Sequence, residues 1–85
     1  MKTKEFQYLD KMIRVGILGV SGYTGQEAFA LLLNHPGVCI TYVAAQNTHG
    51  PMGELFPEFL NRTTLVCQKI DLTQTLEKCD CVFLA

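Results

Sequence analysis

Apolar positions along this chain come in short blocks separated by polar and glycine-containing stretches. Ile13–Leu18 (IRVGIL) and Val38–Ala45 (VCITYVAA) are apolar on both parities and rich in β-branched residues. That pattern predicts strands buried on both faces. Between them Ala28, Leu31 and Leu32 fall on one helical face, with Phe29 and Leu33 beside it. Asn34-His35-Pro36-Gly37 ends that helix, because Pro36 cannot continue it and Gly37 accepts turn geometry. Gln46–Asn61 is a polar connection containing glycine and proline, in which Met52–Leu60 predicts a short helix interrupted at Pro57. Thr64–Ile70 predicts a third strand, and Asp71 an N-cap for a short helix over Leu72–Lys78. Cys81–Ala85 (CVFLA) predicts a fourth strand, buried like the others.

Strand, helix and strand in so few residues make a βαβ unit, whose right-handed crossover makes the strands parallel. The class is therefore α/β. No internal repeat or low-complexity segment interrupts it.

The turn out of the first strand carries the candidate chemistry. Gly19, Gly22 and Gly25 give the spacing G-x-x-G-x-x-G, a variant of the G-x-G-x-x-G of dinucleotide-binding folds. One glycine permits the tight turn, another lets the backbone approach a diphosphate without a Cβ in the way, and a third lets the helix pack against the sheet. The helix opens here, so its unpaired N–H groups and its positive end, about half a charge, face an anion. Ser21 and Thr24 add hydroxyl donors. Ser21 has a second reading as the helix N-cap alone, and Tyr23 a second reading as a ring packed over the loop.

The end of the second strand reports on the ribose. A carboxylate there binds the 2′-hydroxyl of NAD, and its absence tolerates the 2′-phosphate of NADP. Ala44-Ala45-Gln46-Asn47-Thr48-His49 offers amide and hydroxyl donors and no carboxylate. That favours NADP, without an arginine in the stretch, and Gln46 is a candidate cofactor contact; His49 is expected as an exposed loop histidine. On this reading residues 1–12 are an N-terminal extension. Residues 13–85 are the N-terminal half of a Rossmann-type parallel sheet. Ligands of such sheets sit beyond the carboxyl ends of the strands. The sequence stops where the loop after the fourth strand is due, so a piece of a longer protein is expected.

Composition adds exclusions. Eighty-five residues make one small domain or part of one, with 48% hydrophobic and 18% charged residues and a net charge of −1. The charges are scattered, which points away from nucleic-acid and acidic-membrane partners. The first twelve residues are too polar for a signal core, and no apolar run reaches the length of a membrane span. A cytoplasmic setting with free thiols is expected. Cys39, Cys67, Cys79 and Cys81 read as small apolar fillers beside strands, and their spacing predicts no metal site.

Val15–Val38 (VGILGVSGYTGQEAFALLLNHPGV) resembles the N-terminus of the N-acetyl-γ-glutamyl-phosphate reductases of arginine biosynthesis. The Ser21–Gly25 core and the Leu32–Pro36 helix end carry the likeness, with further matches at Glu54–Pro57 and Glu77–Ala85. The glycine loop alone is shared with aspartate-semialdehyde dehydrogenases. The resemblance implies a Rossmann NADP domain followed by an α+β catalytic and oligomerisation domain, and a homo-oligomer at full length. It implies reduction of an acyl phosphate to an aldehyde through a cysteine thioester and hydride transfer. Cofactor contacts carry over onto Gly19, Ser21, Gly22, Tyr23, Thr24 and Gly25. Where this chain has Gln46 the family often has arginine.

The family's nucleophilic cysteine and histidine base lie downstream of this sequence, so no catalytic residue is assigned in it. Substrate choice belongs to the missing domain. A related semialdehyde dehydrogenase of the aspartate or aminoadipate pathway, or an inactive nucleotide-binding remnant, are the alternatives.

Overall fold

The computed structural model describes residues 12–85; the expected N-terminal extension falls, but for Met12, outside the described residues. The chain runs β1 (Ile13–Leu18), α1 (Tyr23–Leu33), β2 (Val38–Ala45), β3 (Gly50–Pro51), α2 (Met52–Leu55), a 3-10 turn (Pro57–Phe59), β4 (Val66–Lys69), α3 (Leu72–Lys78) and β5 (Cys81–Leu84). The sheet order is β3-β4-β2-β1-β5. β1 is parallel to both β2 and β5, β2 is parallel to β4, and only β3 is antiparallel, against β4. The parallel strands alone, numbered in chain order, thus lie third-second-first-fourth, as in one half of a doubly wound sheet.

Each element follows from a local cause. α1 buries Gly25 and Phe29, with Ala30, Leu32 and Leu33 packed against the core. Positions 25, 29, 32 and 33 share a stripe at 3.6 residues per turn. Leu31 lies on the opposite side and is 75% exposed, so of the expected Ala28, Leu31 and Leu32 face Leu32 packs against the core and Leu31 does not. Asp71 caps α3 as expected, its Oδ1 accepting from the Gln74 amide at 3.1 Å. The third strand is shorter than predicted. Gly50–Pro51, unpredicted because two residues carry no periodicity, pairs with Val66–Cys67.

The main core lies on one face of the sheet. Ile17, Val43, Ala45 and Cys67 meet Val20 and Phe29 from the α1 side and Met52 and Phe59 from the α2 and 3-10 segment. Phe29 and Phe59 meet edge to face, with ring centroids 4.7 Å apart, a favoured aromatic geometry. On the other face Tyr42 is buried, its hydroxyl donating to the Lys69 carbonyl and accepting from the Asp71 amide, both at 3.1 Å. This one side chain joins β2 to the start of α3.

Within this chain every residue of β5 is exposed. It is the outermost strand and has a neighbour on one side only, β1. Its register is held at the base by Arg14 and Asp80. The Arg14 guanidinium meets Asp80 Oδ1 at 2.9 Å, the Arg14 amide donates to Oδ2 at 2.9 Å, and the Asp80 amide donates to the Arg14 carbonyl at 2.7 Å. The side-chain and then the backbone hydrogen bonds from Arg14 hold the Asp80 carboxyl below its ordinary value. A carboxyl lowered in the folded state adds stability above its unfolded pKa, about 3.9, and that contribution is lost as pH falls through the lowered value. Asp80→Asn is accordingly expected to lower the urea midpoint slightly at pH 7, and the gap from wild type should close as pH falls through the lowered value. A gap that stays constant across that range would show that the clasp acts without its charge.

All four cysteines are free. The filler reading holds for Cys67, which is fully buried, and not for Cys39 and Cys81, which are exposed. No helix among the described residues is long and apolar enough to cross a membrane.

Candidate cofactor-binding site

β1, β2 and β5 all end at one edge of the sheet, with Leu18 paired to Ala44 on one side and to Leu84 on the other. The glycine loop leaves β1 there. The Gly19 and Val20 amides both donate to the Ala44 carbonyl, at 2.8 and 3.2 Å, and the Ala85 amide donates to the Leu18 carbonyl at 2.9 Å. The loop therefore sits between the ends of β2 and β5, where the crossover from β1 leads to one side of β1 and the crossover from β4 leads to the other. That is the switch point at which open α/β sheets form their ligand crevice.

The three glycines divide the work. Gly19 has φ +87°, a conformation disfavoured for residues with a Cβ, and a Cβ there would lie 2.8 Å from the Ala85 carbonyl oxygen. Gly19 is the tight turn. A Cβ on Gly25 would run into the Gly19 carbonyl oxygen and come within 2.7 Å of the Val20 Cα. Gly25 is the close approach of helix to loop. Gly22 differs from both: its φ of −77° is open to any residue, and a Cβ would meet only the Gly19 carbonyl oxygen, at 3.7 Å. Nothing within the described chain requires glycine at Gly22, so the open space in front of it is room for something else.

Gly22 is the N-cap of α1, which removes the expectation that Ser21 is the cap, and no side chain caps the helix. The first-turn amides of Tyr23, Thr24 and Gly25 are thus the orphan donors of an eleven-residue helix that carries no acidic side chain in that turn. Ser21 is half-buried, and its carbonyl accepts from Gln26 Nε2 at 2.9 Å. Gln26 was not visible as a loop brace in the sequence, because only the turn geometry brings its side chain back onto Ser21. Tyr23 is 78% exposed, so it does not pack over the loop. Thr24 is also exposed.

Gln46 follows β2 directly and is exposed at the same edge as the glycine loop. His49 is exposed as expected, although its Nε2 lies 3.1 Å from the Ala45 carbonyl oxygen. The glycine loop and Gln46 therefore stand together at the carboxyl edge of the sheet. A concavity of about 860 Å³ opens at the opposite end, between Leu32, Leu33, Val38, Ile40, Leu60 and Leu65. None of the loop residues lines it, and the strand ends point away from it.

The strand order and a glycine loop opening a helix at the switch point define a dinucleotide-binding domain of Rossmann type. Comparison with known proteins narrows this. The family described as "Semialdehyde dehydrogenase, NAD binding domain" matches residues 14–85, and the chain belongs to that family. Among similar proteins, the N-acetyl-gamma-glutamyl-phosphate reductase of Gloeobacter violaceus is 47% identical over 74 residues, covering 86% of this chain and 21% of that protein. Its namesake in a Synechocystis species is 44% identical over 72 residues (84% and 20%). That of Campylobacter hominis is 39% identical over 74 residues (87% and 22%). The chain thus spans about a fifth of the length of the curated relatives it matches.

Proposed function

We propose that this chain is the cofactor-binding part of an NADP-dependent acyl-phosphate reductase, acting on N-acetyl-glutamyl phosphate to give N-acetyl-glutamate semialdehyde. The observation that carries the reading is the free space at Gly22, directly before three unpaired helix amides. A dinucleotide pyrophosphate fits that space and those donors. The names of the relatives supply the substrate class.

Gly19 and Gly25 shape the loop, and Gly22 leaves the backbone bare. The amides of Tyr23, Thr24 and Gly25, with the Ser21 and Thr24 hydroxyls, donate to phosphate oxygens. Gln46 lies towards the adenosine ribose. The bound nicotinamide supplies the hydride; these residues bind and orient it. The thiol and base of the reaction, the substrate pocket and the contacts of a homo-oligomer belong to the part of a family-length protein outside this chain. The setting is a cytoplasmic one.

Titration of the natural full chain with NADPH and NADH, followed by nicotinamide fluorescence, tests the cofactor. NADPH is expected to bind more tightly; equal affinity or a preference for NADH overturns this assignment. Gln46→Arg adds a charge-assisted contact to the 2′-phosphate and is expected to raise the NADPH preference about tenfold. An unchanged preference would move the ribose away from Gln46.

A further inference from the structure

Gln46–His49 bridges the carboxyl edge of the sheet from β2, over β4, to β3. Gln46, Asn47 and His49 are exposed. Among the described residues no backbone–backbone hydrogen bond holds these four; two side-chain contacts do. His49 Nε2 lies 3.1 Å from the Ala45 carbonyl oxygen, and Cys67 Sγ donates to the Thr48 carbonyl at 3.1 Å. Cys67 comes up from β4, directly opposite Gly50, and is packed in the main core with Ala45, Met52 and Phe59. It thus ties an exposed loop to the buried core.

We propose that Cys67 is a positioning residue for cofactor selectivity: its thiol, by holding the Thr48 carbonyl, sets where the Gln46–His49 loop presents its donors to the ribose 2′-phosphate. The inference rests on the NADP reading above. Burial raises the Cys67 pKa, so the thiol stays protonated and able to donate across the neutral range. The sequence offered Cys67 only as an apolar filler, a role that asks for volume and not for a donor. The hydrogen bond to Thr48 adds that second requirement.

Serine keeps an O–H donor at this position, whereas valine keeps the apolar volume and loses the donor. Cys67→Ser and Cys67→Val therefore separate the two roles. Dissociation constants for NADPH and NADH are measured on the natural full chain and both variants, with thermal midpoints alongside. Wild type is expected to prefer NADPH. Cys67→Val is expected to lose about fivefold of the NADPH-to-NADH preference, the size of one net hydrogen bond. Cys67→Ser is expected to keep the preference within about twofold, even if its midpoint falls further than that of the valine variant. A filler role alone predicts the same order in stability, valine above serine, and no change in selectivity in either variant. Wild-type selectivity in Cys67→Val, or equal loss in both variants, overturns the proposal. If Cys67→Val does not fold, Cys67→Ala, which matches serine closely in size, takes its place in the same comparison. An absent preference in wild type itself would sink the NADP reading first, and this inference with it, before any variant is compared.

Discussion

Gly25→Ala is expected to lower the stability of the domain by about 3 kcal/mol, the upper end for overpacking a tight contact. The added methyl meets the Gly19 carbonyl oxygen and the Val20 Cα, both backbone atoms. No rotamer change relieves such a clash, so α1 must move away from the loop. Phe29, one turn further along α1, would be drawn out of the core with it. In a domain of this size the loss corresponds to a fall of roughly 12–24 °C in the thermal midpoint. A calorimetric scan reads it directly, and a midpoint within a few degrees of wild type would show that the loop and the helix separate easily. Cofactor binding should weaken as well, since the same movement misplaces the first-turn amides.

Gly22→Val is expected to have the opposite signature: near-wild-type stability and cofactor affinity reduced at least a hundredfold. The Gly22 backbone angles suit any residue, and a Cβ there meets only an ordinary contact at 3.7 Å. Valine at a helix N-cap costs about 1 kcal/mol at most relative to glycine. The space it fills is the space assigned to the pyrophosphate, and losing the close approach removes several charge-assisted bonds of about 1.5–3 kcal/mol each. The measurement pairs a thermal midpoint with an NADPH titration. Undiminished binding by a folded Gly22→Val protein would place the phosphates elsewhere. Because Gly22 and Gly25 lie in one motif, the pair distinguishes a glycine kept for a ligand from a glycine kept for packing.

Much of this site is visible in the sequence because it depends on short-range rules. β1, α1, β2 and α3 are found within a residue or two, since apolar blocks, the Pro36 stop and the Asp71 cap act on near neighbours. The glycine spacing marks the loop for the same reason. The misses have a common origin in long-range contacts. Leu31 and Phe29 are equally apolar, and only the direction of the sheet decides which faces it. Gly50–Pro51 becomes a strand only because β4 lies beside it.

The sequence by itself determines an α/β chain of alternating strands and helices, with a glycine-rich turn opening a helix and no carboxylate after the second strand. These follow from backbone sterics and hydrophobic periodicity, which operate over a few residues. Tertiary structure alone decides that β5 pairs with β1, and so that the loop lies at a switch point between two diverging connections. It also decides which glycine is turn, which is packing and which is open space, because each answer depends on atoms of Ala85, Val20 or Gly19 brought near by folding. The tie from Cys67 to Thr48 is of the same kind. A side chain's partner across the sheet is set by strand order and register, and neither is written in the local pattern of either strand.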